Sequence, residues 1–142
     1  MKLYRAMIAD ADGLPMIGRS ARKLGVRTVD RAPNNDVVAV SPTDIVRPGK
    51  GMSVAPHDPI KLAENRRPPQ VNGGTGSDPV WELDVDDLGS DLNFNQDTAT
   101  HGLIEPASPM AFAEYERALE TTRTNAATTY RMIGDRSDGD TS

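Results

Sequence analysis

The chain has 142 residues, 37% of them hydrophobic and 26% charged, with a formal net charge of −5, two histidines and no cysteine. Such a length suits one domain. The missing cysteines exclude a disulfide framework, a thiolate zinc site and a cysteine nucleophile, and no apolar run approaches the roughly 20 residues that cross a bilayer. Met1-Lys2-Leu3-Tyr4-Arg5 runs into Asp10 and Asp12 without a secretory apolar segment, so the expected compartment is the cytoplasm.

Charge is unevenly spread. Residues 1–67 hold twelve basic residues against seven acids, residues 68–116 hold ten acids and no Lys or Arg, and residues 117–142 balance at four each. The expectation is that the two halves fold against each other and neutralise the imbalance. The basic residues are dispersed and no aromatic residues alternate with them, so the charge is a weak nucleic-acid signature and no clear one.

In chain order, Leu3–Ile8 reads as a strand. A helical turn or two is expected around Met16–Leu24, limited by Gly18 and Gly25. After the turn Pro33-Asn34-Asn35-Asp36 comes the β-branched run Val37–Val40, then a short strand Met52–Ala55 behind Pro48-Gly49. Residues 56–79 are punctuated by five prolines and three glycines, and a loop of that length is functional or disordered. Val80–Val85 alternates strictly and predicts a half-buried strand, and His101–Glu105 predicts another. Ser108 and Pro109 supply an N-cap and a first-turn proline for a helix with Phe112, Tyr115 and Leu119 on one face. The reading is an α+β domain over residues 1–133 followed by a disordered tail, 134–142.

Several motifs fail on their own chemistry. Gly73-Gly74-Thr75-Gly76 lacks the Lys-Ser/Thr of a phosphate loop and reads as a turn. Asp84-Val85-Asp86-Asp87-Leu88-Gly89 has Leu where a calcium ligand belongs. His57 and His101 have no second nitrogen ligand nearby, so no metal site is expected. What remains is a set of polar residues on strands: Arg5, Ser53 and Glu105, with His101 on the face of Glu105, about 13 Å along the strand.

Leu3-Tyr4-Arg5-Ala6, Asp44-Ile45-Val46, Gly51-Met52-Ser53-Val54-Ala55-Pro56, Gly73-Gly74-Thr75-Gly76 and His101-Gly102-Leu103-Ile104-Glu105-Pro106-Ala107-Ser108-Pro109-Met110 follow one another in a meaningful order. That order resembles the small NAD-dependent toxins of the type VI secretion effector class with an ADP-ribosyltransferase-like fold, over about residues 3–123. The resemblance implies a split β-sandwich with few helices and a C-terminal helix, holding NAD between two small sheets. It implies cleavage of the nicotinamide–ribose bond and transfer of ADP-ribose to a macromolecule, and an immunity protein covering the cleft. By type, order and strand placement it implies Arg5, Ser53 and Glu105 as catalytic residues. Arg5, Ser53, Arg66, Arg67 and His101 are then the NAD-binding set, with no metal. Two alternatives stay open: an NAD glycohydrolase or phosphorylase without a macromolecular acceptor, and a non-catalytic interaction module on the same scaffold.

Overall fold

A computed structural model describes residues 1–28, 35–125 and 131–133. The expected tail at 134–142 lies outside the described residues. Apolar alternation on both faces of the N-terminal segment makes it a sheet centre. β1 (Lys2–Ala6) is flanked by β3 (Met52–Pro56) on one side and β4 (Val80–Asp84) on the other. The antiparallel sheet continues outward through β6 (Gly102–Pro106) and β5 (Leu92–Gln96) at one end, and through β8 (Arg131–Ile133) at the other, in the order β5-β6-β3-β1-β4-β8. β2 (Ile45–Val46) and β7 (Met110–Ala111) form a separate two-stranded ribbon.

One α-helix is present among the described residues, α1 (Phe112–Asn125), and it covers one face of the main sheet. Phe112, Tyr115 and Leu119 are buried there against Leu3, Met52, Trp81 and Ile104. Burying each such side chain contributes about 1.5–3 kcal/mol. The opposite face carries a smaller apolar cluster of Tyr4, Ala6, Ala55, Val71 and Val80.

Four expectations change. The helix begins at Phe112, not at Ser108-Pro109, because Met110–Ala111 is drawn into the ribbon. The first helical N–H groups are then satisfied from outside: Phe112 N–H donates to the Asp44 carbonyl at 2.7 Å and Ala113 N–H to that of Pro42 at 3.0 Å. Met16–Leu24 forms no helix. It forms a loop whose ends run side by side at a parallel bridge between Ile17 and Leu24, and a Cβ on Gly25 (φ +156°) would stand 2.0 Å from the Gly18 carbonyl oxygen.

Val37–Val40 alternates in burial but pairs with no strand among the described residues. Asp44 instead takes the Val40 and Ser41 N–H groups, both at 2.9 Å, an Asx-type arrangement that competes with ladder formation. Finally, β4 is buried on both faces. Glu82, expected at the wet side, is 9% exposed and accepts a hydrogen bond from the Tyr4 hydroxyl at 3.0 Å.

The two differently charged halves do meet. Arg19 forms a two-pronged pair with Glu116 (2.8 and 3.0 Å), Arg22 does the same with Asp78 (2.7 and 2.8 Å), and Lys2 reaches Asp84 at 3.2 Å.

Candidate active site

β1 and β3 are paired only at Leu3↔Pro56 and Tyr4↔Ala55. Beyond that point β1 stays with β4 as far as Ala6↔Val80, while β3 turns to β6 over Met52–Val54. The strands therefore part between Arg5 and Ser53. Alternation sets the Arg5 side chain on the helix face, beside Val54 and Trp81, and Ser53 on the other face.

The Arg5 guanidinium, 7% exposed, spans the gap. It donates to the Ser53 carbonyl at 2.7 Å, to that of Lys23 at 2.9 and 3.2 Å, and to those of Ser20 and Gly25 at 3.2 and 3.3 Å. A rigid fork of donors is suited to this task. Arg5 thus pins the 20–25 loop to β3.

A cavity of about 170 Å³ opens at this parting, and Arg5, Ser53, Arg66 and His101 all line it. Ser53 is partly exposed, and its hydroxyl has no hydrogen-bond partner among the described residues. Arg27 and Asp36 also line the cavity but neutralise each other, with contacts of 3.0 and 3.2 Å. The Asp36 hydrogen bond holds Arg27 even more firmly protonated than usual. Lys61 and Arg66 line it too, both partly buried and neither ion-paired among the described residues. The cavity is therefore cationic. At the rim, His101 Nδ1 lies 2.7 and 3.0 Å from the two Asp97 carboxylate oxygens. A carboxylate only accepts, so Nδ1 carries the proton and Nε2 of a neutral ring is an acceptor.

Glu105 and Arg67 are not brought to this cavity. Glu105 stands on the face of Ser53, two residues beyond Leu103, the cross-strand partner of Ser53; that is about 7 Å along β6. Its carboxylate, 6% exposed, accepts from Gly49 N–H at 3.0 Å and from the Asn95 and Asn93 amides at 3.0 and 3.3 Å. Between Glu105 and His101 the sheet face is a polar shelf, with the exposed Asn93 and Asn95 of β5 alongside Leu103. Arg67 turns into its own loop, donating to the carbonyls of Leu62, Val71 and Asn72 at 2.9–3.0 Å.

With this geometry in view, comparison with known families gives one result: the profile of the Tse2 ADP-ribosyltransferase toxin family matches residues 2–129. The chain belongs to that family. No curated protein and no solved structure matches it. Membership makes this Tse2-family chain a toxin and an ADP-ribosyltransferase, with NAD as the implied substrate. Its antiparallel sheet and C-terminal helix agree with the α+β ADP-ribosyltransferase-like fold expected from the sequence. No helix among the described residues is long and apolar enough to cross a membrane. No group of three or more His, Asp or Glu that could hold a metal occurs among them either.

The sequence reading of this Tse2-family site missed Lys61, Asp97, Asn93 and Asn95. The last two had a signal: Leu92-Asn93-Phe94-Asn95 alternates like a half-buried strand. Asp97 and His101 are four residues apart across a β5–β6 turn, and nothing in that spacing separates the pairing from chance.

Proposed function

We propose that this chain binds NAD across the cationic cavity and the polar shelf, cleaves the nicotinamide–ribose bond and transfers ADP-ribose to a macromolecule. The observation that carries the reading is the convergence of Arg5, Ser53, Arg66 and His101 on one cavity that also holds the cation of Lys61. The enclosed space is smaller than the roughly 300–1,000 Å³ of ligand pockets, so part of the dinucleotide lies over the shelf. Lys61 and Arg66 face the diphosphate. The Ser53 hydroxyl and His101 Nε2 hydrogen-bond the sugar and ring between them.

In this reading Glu105 is the anion that stabilises the oxocarbenium-like ribose as the C–N bond breaks and its electron pair leaves with nicotinamide. The acceptor then bonds to the ribose carbon and gives up its proton. Three donors, one each from Gly49, Asn93 and Asn95, would keep that carboxylate fixed and ready, at little cost in reorganisation. Arg5 is a positioning residue, since its donors already serve backbone carbonyls. An immunity protein would silence the enzyme by covering the cavity mouth.

The test is nicotinamide release from NAD by the purified chain, followed chromatographically. Glu105→Gln retains an acceptor oxygen for Gly49, so it should fold, and it should lower kcat by about 10²–10³. Adenine-labelled NAD separates transfer from hydrolysis, since only transfer labels a macromolecule. Wild-type chain releasing no nicotinamide, or a folded Glu105→Gln variant working at the wild-type rate, would overturn the proposal.

A further inference from the structure

Residues 59–76 contain no strand and no α-helix, only two single-turn 3-10 segments at Pro59–Lys61 and Glu64–Arg66. Both turns end on a cation of the cavity. The segment is nevertheless built around one hub. Arg67 Nε donates to the Leu62 carbonyl at 3.0 Å, and its terminal nitrogen donates to Val71 and Asn72 at 3.0 and 2.9 Å, so one guanidinium ties both 3-10 turns to the following turn.

The returning limb of the loop is held equally closely. Thr75 N–H donates to the Glu64 carbonyl at 2.9 Å and Gly76 N–H to that of Arg67 at 2.7 Å. A Cβ on Gly74 would stand 1.9 Å from the Arg67 carbonyl oxygen, a clash with backbone that no rotamer change relieves. The turn itself passes through two successive left-handed residues, Asn72 (φ 51°) and Gly73 (φ 67°). Val71 then anchors the loop in the apolar cluster with Tyr4, Ala55 and Val80.

We propose that Arg67, with the glycine turn packed on it, is a positioning residue that sets Lys61 and Arg66 at a fixed separation for a diphosphate. The two adjacent arginines divide the labour, Arg66 facing the cavity and Arg67 the loop. The inference rests on the NAD reading for the identity of the diphosphate, though not for the geometry of the platform. Lysine at position 67 would keep the charge but present a point donor in place of a fork, and would release at least one of the three carbonyls.

The experiment compares wild type, Arg67→Lys and Gly74→Ala. Calorimetry measures binding of inorganic pyrophosphate, and steady-state kinetics measures NAD turnover. Both variants should weaken pyrophosphate binding and raise KM for NAD by about tenfold, with kcat within about twofold. Inhibition by nicotinamide, which carries no phosphate, should stay as in wild type. A purely structural role would lower the melting temperature and leave pyrophosphate affinity and KM unchanged, and that result in both variants overturns the platform. If the wild type binds pyrophosphate and loses it on Arg67→Lys, yet never turns over NAD, the platform stands and the NAD reading falls.

Discussion

Arg5 shapes the cavity through the backbone it holds. Its side chain is buried and its donors reach four backbone carbonyls on two segments. Removing the guanidinium leaves those carbonyls, most of them partly buried, without their donor, and each unsatisfied buried group costs about 1–3 kcal/mol. Some of that loss is recovered as the 20–25 loop relaxes. Arg5→Ala should therefore destabilise the fold by about 3 kcal/mol, read as a lowered midpoint in urea unfolding. On the proposed function, activity lost in that variant would report the cavity wall, whereas activity lost in Glu105→Gln would report chemistry. A midpoint within 0.5 kcal/mol of wild type, by a margin typical of surface changes at about that size, would mean that Arg5 is not the pin described.

At the level of elements, the site depends on how α1 is seated. The Tyr115 hydroxyl accepts from Met52 N–H at 3.0 Å and donates to the Ile104 carbonyl at 2.6 Å, standing between β3 and β6 where a ladder bond would otherwise run. Gly51 makes room for it, because a Cβ there would lie 2.9 Å from that hydroxyl and 2.3 Å from the Ile104 oxygen. One helix side chain thus fixes the separation of β3 and β6 beside Ser53 and Glu105. Tyr115→Phe should cost about 2 kcal/mol in unfolding free energy, because two buried backbone groups lose their partner. An unchanged unfolding midpoint would show that β3 and β6 simply close on one another.

How much of this was legible in the sequence follows from the same contacts. Strands carried by apolar alternation, such as Val80–Asp84 and Gly102–Pro106, were readable, as was the buried face of Phe112, Tyr115 and Leu119. The helix start was not, since its N–H groups find carbonyls at Pro42 and Asp44, about seventy residues upstream, and a local cap signal at Ser108 cannot anticipate that. The Val37–Val40 run has strand composition but no strand to pair with among the described residues, a tertiary matter that β propensity cannot encode. Arg66 and Arg67 are indistinguishable as letters. The hydrogen-bond acceptors around each, supplied by Leu62, Val71 and Asn72 for one and not the other, separate the cavity cation from the loop hub.

Across the whole molecule, folding neutralises a basic first half with an acidic second, and that arrangement sets the response to acid. Asp84 is held below its ordinary value of 3.8 by the Asp86 N–H and by Lys2, and Asp44 by the N–H groups of Val40 and Ser41. Burial pushes Asp10 upward, but the Arg123 hydrogen bond and the Leu14 and Asp12 N–H groups outweigh it and leave it lowered. A carboxyl whose pKa is lower folded than unfolded stabilises the fold fully above the unfolded value, and that contribution disappears as pH falls through the folded value. The urea midpoint should accordingly stay level from pH 7 to about pH 5 as far as these three groups decide it, then drop steadily below about pH 4. Asp84→Asn cannot ionise, so its midpoint should start lower at pH 7 and fall less between pH 4 and pH 2, about the range in which a native aspartate takes its proton. Parallel curves for wild type and this variant would mean that the Lys2–Asp84 link across the sheet contributes nothing to holding the two halves together.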